Sequence, residues 1–364
     1  QQPDRLPRAA HVSVVLAHAF ERATCRRVFH EWQGKNMLIG TDRMQRIWRA
    51  ILAVFALATA PVYAQQQLSI ATAGTGGVYY PLGGGLAEII NQYVSGYAAT
   101  AEVTGGSVEN MGLIARGDAD LAIALGDTVA QAFAGRGRFE GQRLPTVSGL
   151  SSLYMNMVQI VTLADSGITT LSGLKGKKVS VGAPGSGTEV NAQAILAANG
   201  LGYDDIEVRR LNFNETADAL ANGDIDAGFW SVAAPTSSIM NLAIKQAVRM
   251  IELSDREIAA TRANDPIFTR ASLVGGTYNG VDQDVTVLGI PNVLVASTDM
   301  PDDLAYAITK AMYEHLDNLS AIHPAARQIT VEFTLDSLPV PLHPGALRYF
   351  REVVACLLYT SDAA

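Results

Sequence analysis

The sequence predicts an α/β fold of two lobes, each a mainly parallel sheet flanked by helices, joined by a hinge that the chain crosses twice. Two observations carry this expectation. The pattern strand, Gly-rich turn, helix, strand, helix, Gly-Asp-x-Asp, strand occurs once in each half of the chain. Two further apolar segments, one between the halves and one after the second, have the character of connecting strands. Helical crossovers between parallel strands imply a sheet whose ligand sites lie at the carboxyl ends of the strands.

The ends of the chain are set apart from this pattern. Residues 44–64 read as a secretory signal peptide: Arg46 and Arg49 form a basic start, Ala50 to Ala58 an apolar core, and Val62-Tyr63-Ala64 a small-residue cleavage site before Gln65. The apolar run is shorter than the roughly 18–20 residues that span a bilayer. Residues 1–43, which open on Gln and carry Cys25 and unpatterned arginines, read as non-native upstream translation, and 356–364 as an artefactual tail. The stretch from about 65 to 355 is long enough for two lobes. Both cysteines, Cys25 and Cys356, fall outside it. A disulfide scaffold, a thiol nucleophile and a cysteine metal site are therefore excluded from the core.

Of the 27 Lys and Arg, nine precede residue 65, against four of the 35 Asp and Glu, so the remainder carries a net charge of −13. A nucleic-acid binder needs a basic stripe to displace counterions, and none is visible.

In the first half, Leu68 to Ala73 alternates apolar and small polar residues as a strand does. Gly74-Thr75-Gly76-Gly77 follows, and then a helix over about 79–94 with Leu82, Leu86, Ile89, Ile90 and Tyr93 on one face. A strand near 99–103, Gly105-Gly106-Ser107 and a short helix through Met111 and Ile114 lead to Gly117-Asp118-Ala119-Asp120 and the strand after it. In the second half, Lys178 to Ala183 is the first strand, Pro184-Gly185-Ser186-Gly187-Thr188 its turn, and 189–199 its helix, closed by Gly200. The strand over 206–211 follows. Asn214 is expected to cap the next helix, which reaches Gly223-Asp224-Ile225-Asp226. Val158 to Leu163 and Asn292 to Ser297 are the connecting strands, the latter preceding a helix with Leu304, Ile308, Met312 and Leu316 on one face. One continuous doubly wound sheet is the alternative; two lobes are preferred because the glycine turns sit at matching positions.

Those turns are the candidate binding elements. Glycine lets backbone N–H groups face a ligand closely. The first helical turn leaves N–H donors unpaired and adds partial positive charge, which together attract a carboxylate or phosphate. Thr75, Gly76 and Gly77 from the first turn and Gly185, Ser186, Gly187 and Thr188 from the second are the residues so placed. Tyr79 and Trp230 are aromatics near them, suited to stacking on a ligand. Asp127 suits either a ligand ammonium or a helix N-cap. The turns lack the Lys of a P-loop and the third Gly of a dinucleotide fingerprint. His315, His323 and His343 show no metal spacing, and no Gly-x-Ser-x-Gly elbow is present. Neither a cofactor nor a metal nor catalysis is expected, and the four aspartates of the Gly-Asp-x-Asp turns are expected to cap and solvate.

Taken together, the stretches Ala73 to Gly83, Thr104 to Asn110, Gly117 to Ala122, Leu174 to Glu189 and Gly223 to Gly228 resemble the TAXI family, the extracytoplasmic receptors of one branch of TRAP transporters. The resemblance spans about 65 to 355. It implies a type II periplasmic-binding fold that closes over a small ligand, glutamate, glutamine or a dicarboxylate. It also implies delivery of that ligand to ion-driven TRAP membrane subunits; a ligand-binding protein of an ABC or sensory system with the same lobes is the alternative, and an enzyme on the same fold a further one. By motif match it carries over Thr75, Gly77, Tyr79, Ser186, Gly187 and Thr188. The expected organisation is 65–157 plus 298–355 as one lobe and 158–297 as the other, in a periplasmic monomer that binds no nucleic acid.

Overall fold

The computed structural model describes residues 65–361. The expected signal segment at 44–64, the upstream stretch 1–43 and the last three positions of the tail lie outside the described residues.

The first half of the repeat runs β1 (Gln66–Ala71), α1 (Tyr79–Tyr93), β2 (Tyr97–Glu102), α2 (Ser107–Arg116), β3 (Leu121–Leu125) and α3 (Gly126–Ala134). The long strand β4 (Val147–Leu163) leads to the second half. There β5 (Lys178–Ser180), α4 (Gly187–Ala198), β6 (Glu207–Arg209), α5 (Phe213–Asn222), β7 (Ala227–Val232) and α6 (Ser237–Lys245) follow the same order. Next come β8 (Val248–Met250), α7 (Asp255–Asn264), β9 (Thr269–Leu273) and a second long strand, β10 (Val285–Ser297). The helices α8 (Asp302–Glu314), α9 (Leu316–Ile322), α10 (Val331–Ser337) and α11 (Pro344–Ser361) complete the chain.

The repeat is reproduced strand for strand. β1 pairs in parallel with β2 and β3, and β5 pairs in parallel with β6 and β7. The Gly-Asp-x-Asp turns do the same work twice. Gly117 and Gly223 end their helices at φ 72° and 75°, a left-handed conformation that a side chain disfavours. The second aspartate of each turn then ties down the first strand of its half: Asp120 Oδ2 accepts the Ser69 N–H at 2.8 Å, and Asp226 Oδ2 the Lys178 N–H at 2.7 Å.

The fold is α/β, but its sheet is mixed rather than mainly parallel. The two long strands run antiparallel to each other and to the strands beside them, in the order β2-β1-β3-β10-β4-β7-β5-β6, with β8 on β4 and β9 on β10. Backbone pairing is therefore continuous from one half to the other. The connecting segments expected at 158–163 and 292–297 are the ends of these longer strands. Their full extent was hidden because both faces of β4 are buried while it carries Ser148, Ser151, Ser152 and Asn156, which breaks any apolar alternation. The β4–β10 ladder shifts register between Pro291 and Val293. Proline has no N–H to give a ladder, so the pairing loosens at the crossing between halves.

Two smaller differences have local causes. Tyr93 is 42 % exposed and stacks on His315 at 3.5 Å instead of joining the buried face of α1. The cap of α5 is Asn212, not Asn214: Asn212 Oδ1 accepts from Asn214 N–H and Glu215 N–H, and Glu215 Oε2 accepts the Asn212 N–H at 2.8 Å. Glutamate three residues on completes a reciprocal box that only Asn212 can enter. Among the described residues no helix is long and apolar enough to cross a membrane, and no cluster of metal-binding side chains occurs.

Candidate functional site

The carboxyl ends of strands from both halves converge on one cavity. From the first half come Ala73 and Gly74 beyond β1, Gly105 and Gly106 beyond β2, and Leu125 at the end of β3. From the second come Ala183 beyond β5, Asn212 and Phe213 beyond β6, and Ser231 and Val232 at the end of β7. Among the helices that begin on this cavity are α1 through Gly77, Val78 and Tyr79, α2 through Ser107, α4 through Ser186, Gly187 and Thr188, and α5 through Asn212 and Phe213. The space is about 50 Å³, counted as the volume open to the centre of a water molecule.

The helix starts differ in what their amides do. At α2, the Val108 and Glu109 N–H groups donate to the Gly185 carbonyl of the opposite half, at 3.0 and 3.1 Å. The N-terminus of α2 is thus occupied by the protein itself and holds the halves together over the cavity. At α4, the Ser186 hydroxyl caps the Glu189 N–H at 3.2 Å, and the Gly187 and Thr188 N–H groups have no acceptor among the described residues. They remain as anion-binding donors with the helix dipole behind them. Tyr79 donates its hydroxyl to Asn292 Oδ1, and Asn156 Nδ2 reaches the same oxygen at 2.8 Å. Burial holds the Tyr79 phenol well above its usual range, opposed by its hydrogen bond with Ser107, so it stays protonated and neutral.

Among the described residues no Lys, Arg, His, Asp or Glu lines the cavity. Its walls are small or apolar, with the aromatic ring of Phe213, and the hydroxyls of Ser107, Ser186, Thr188 and Ser231. Ser231 is 5 % exposed and its Oγ has no hydrogen-bond partner, as is also true of the buried Asn156 Oδ1 and Tyr154 hydroxyl.

Of the residues singled out from sequence, Gly77, Tyr79, Ser186, Gly187 and Thr188 line this cavity. The others lie off its wall. Thr75 is exposed, and its hydroxyl accepts from Asn214 Nδ2 at 3.5 Å. The Gly76 carbonyl accepts the Thr236 hydroxyl at 3.0 Å, and Gly185 serves the α2 contact. Trp230 is fully buried, with Nε1–H on Ser238 Oγ at 3.2 Å and its ring against Phe213. Asp127 is 1 % exposed and takes the Asn191 amide N–H at 2.7 Å across the two halves, so it is not free for a ligand ammonium. Burial pushes its carboxyl up to about 7, opposed by its hydrogen bonds around Thr128.

Sequence reasoning passed over Ser107, Leu125, Asn212, Phe213, Ser231 and Val232 as site residues. One signal for Ser231 was available: it follows Trp230 on a strand, and alternate side chains face opposite ways. Choosing the aromatic selected the neighbour that packs inward.

Three solved structures with similar folds are a putative sulfonate ABC transporter's periplasmic sulfonate-binding protein from Methylobacillus flagellatus, the periplasmic aliphatic sulphonate binding protein from Escherichia coli, and a putative L-cystine ABC transporter from Listeria monocytogenes. The first is 18% identical, over 70% of this chain and 69% of that one, at a TM-score of 0.41. The second is 14% identical, over 82% and 93%, at 0.40. The third is 13% identical, over 73% and 98%, at 0.46. The model of the NMT1-like family matches residues 70–353, nearly the whole of the repeat-bearing region, and the chain therefore belongs to the NMT1-like family.

Proposed function

We propose that the protein is a solute-binding receptor that closes over a small anion and passes it to a membrane transporter. One observation carries the reading. Gly77 to Tyr79 from the first half and Ser186 to Thr188 from the second, equivalent turns of a repeat, meet on a single uncharged cavity with free helix N-terminal amides. Such amides favour a carboxylate or another oxoanion. A cavity that no charged side chain enters, and that holds no nucleophile–base pair, suits capture and release rather than catalysis.

In this reading Gly77, Tyr79, Ser186, Gly187 and Thr188 contact the ligand. The segments 65–157 plus 298–355 and 158–297 act as lobes that part on β4 and β10, where the ladder shifts beside Pro291. Glutamate-like compounds and dicarboxylates are the first ligands to test. A periplasmic monomer released by cleavage after Ala64, and TRAP-type membrane subunits as partners, follow from the motif resemblance and the signal-like segment at 44–64. Sulfonates and amino acids, which also present an oxoanion, complete the panel.

Calorimetric titration with such a panel tests the reading. A ligand that binds should lose about 1–3 kcal/mol for each buried polar group left unpaired when Ser186→Ala and Thr188→Ala are introduced. Unchanged affinity in both variants removes these hydroxyls from the site. Uptake into vesicles bearing the TRAP subunits, driven by an ion gradient without ATP, tests the partner.

A further inference from the structure

The cavity discriminates between kinds of acid. Four carboxylates sit within two residues of its wall, and each is committed to a protein partner. Asp127 Oδ2 holds the Asn191 amide at 2.7 Å, Glu109 Oε2 accepts the Gly105 N–H at 2.8 Å, Glu189 Oε1 pairs with Arg210 Nε at 2.8 Å, and Glu215 Oε2 accepts the Asn212 N–H at 2.8 Å. No acidic side chain lines the cavity itself. An ammonium brought here loses water, gains no counter-charge and meets the positive end of the α4 dipole, which together make its burial costly.

The groups that do await a partner are neutral. Ser231 lines the cavity, is more than nine-tenths buried, and its Oγ has no hydrogen-bond partner among the described residues. Behind it Asn156 donates its Nδ2 to the Ser231 carbonyl at 3.2 Å and leaves its own Oδ1 without a donor. A buried hydroxyl left in this state favours a guest oxygen that can give or take one hydrogen bond. The space open to the centre of a water molecule is about 50 Å³, which suits a short guest.

We propose that the ligand is a short acid without an ammonium group, its anionic end on the Gly187 and Thr188 amides and an uncharged oxygen, hydroxyl or oxo, at Ser231. The proposal rests on the anion-receptor reading and narrows it by excluding 2-amino acids.

Calorimetric titration of the protein with two matched series at neutral pH decides it: propionate, lactate, pyruvate and L-alanine, and glutarate, 2-hydroxyglutarate, 2-oxoglutarate and L-glutamate. In at least one series the hydroxy or oxo acid should bind about a hundredfold or more tighter than its amino counterpart. An amino acid that binds as tightly as its oxo analogue overturns the proposal and leaves the anion reading in place. No binding by any of the eight overturns both. Ser231→Ala should weaken the hydroxy or oxo acid about tenfold and leave the unsubstituted acid of the same series unaltered. The melting curve of the ligand-free variant reports whether the fold is intact. A folded variant that binds the hydroxy and oxo acids like the parent overturns the assignment at Ser231.

Discussion

Replacing Gly187 by alanine separates closure of the cavity from folding of the chain. A Cβ at this position would lie 2.6 Å from Leu125 Cδ1, 2.8 Å from Ser107 Oγ and 3.0 Å from Ser107 Cβ. All three atoms belong to the opposite half of the repeat. Ser107 Oγ has little freedom to retreat, because it accepts the Leu125 N–H at 3.0 Å. Overpacking of this kind costs about 1–3 kcal/mol, which corresponds to about 5- to 150-fold in affinity if it is felt only when the halves meet. Within its own half the substitution is benign. Gly187 begins α4 outside the left-handed region, and alanine at such a site stabilises by about 0.4–1 kcal/mol through the unfolded chain. The expected result is a urea midpoint equal to or slightly above the parent's without ligand, together with a calorimetric affinity reduced by one to two orders of magnitude. Undiminished affinity would refute the steric argument. A loss of ligand-free stability as large as the loss of affinity would refute parting of the halves, since the clash would then be present in every folded molecule.

Three other substitutions test the packing around the site. Because burial raises the Asp127 carboxyl from 3.8 to about 7, the folded chain binds a proton there that the unfolded chain releases, so stability should fall as pH rises through that window and level off above it. Asp127→Asn should flatten this dependence. It should also exceed the parent in stability above about pH 7, by at most a few kcal/mol, with its new N–H facing the unpartnered Asn191 Oδ1. Urea unfolding across the pH range measures both slopes, and parallel slopes would remove Asp127 as their source. Asp120→Ala and Asp226→Ala each remove the acceptor of a backbone N–H on the first strand of a half, at Ser69 and Lys178. Each should cost about 1.5–3 kcal/mol of stability, and a large inequality between them would argue against the equivalence of the two halves.

What was legible in the chain was local. The strand–helix order of both halves, the Gly-Asp-x-Asp turns and the glycine turns at the starts of α1 and α4 rest on hydropathy period and on glycine and capping chemistry, which act over a few residues. Even there Asn214 was mistaken for Asn212, because either amide begins a credible helix and only the Glu215 carboxylate chooses between them. The span of β4 was not legible, because a strand buried on both faces and rich in serine carries no alternation. That Asp127 is held by Asn191 was not legible either, because the two are 64 residues apart.

By itself the sequence determined the element order, the internal repeat and the two glycine turns capable of presenting amides. Tertiary structure alone decided that these turns share one cavity, that the N-terminus of α2 is filled by the Gly185 carbonyl, and that Ser231 rather than Trp230 lines the cavity. Periodicity fixes which face of an element is apolar. The rotation of one element against another depends on contacts such as that of Tyr79 with Asn292, 213 residues apart, and no short-range pattern encodes a contact of that length.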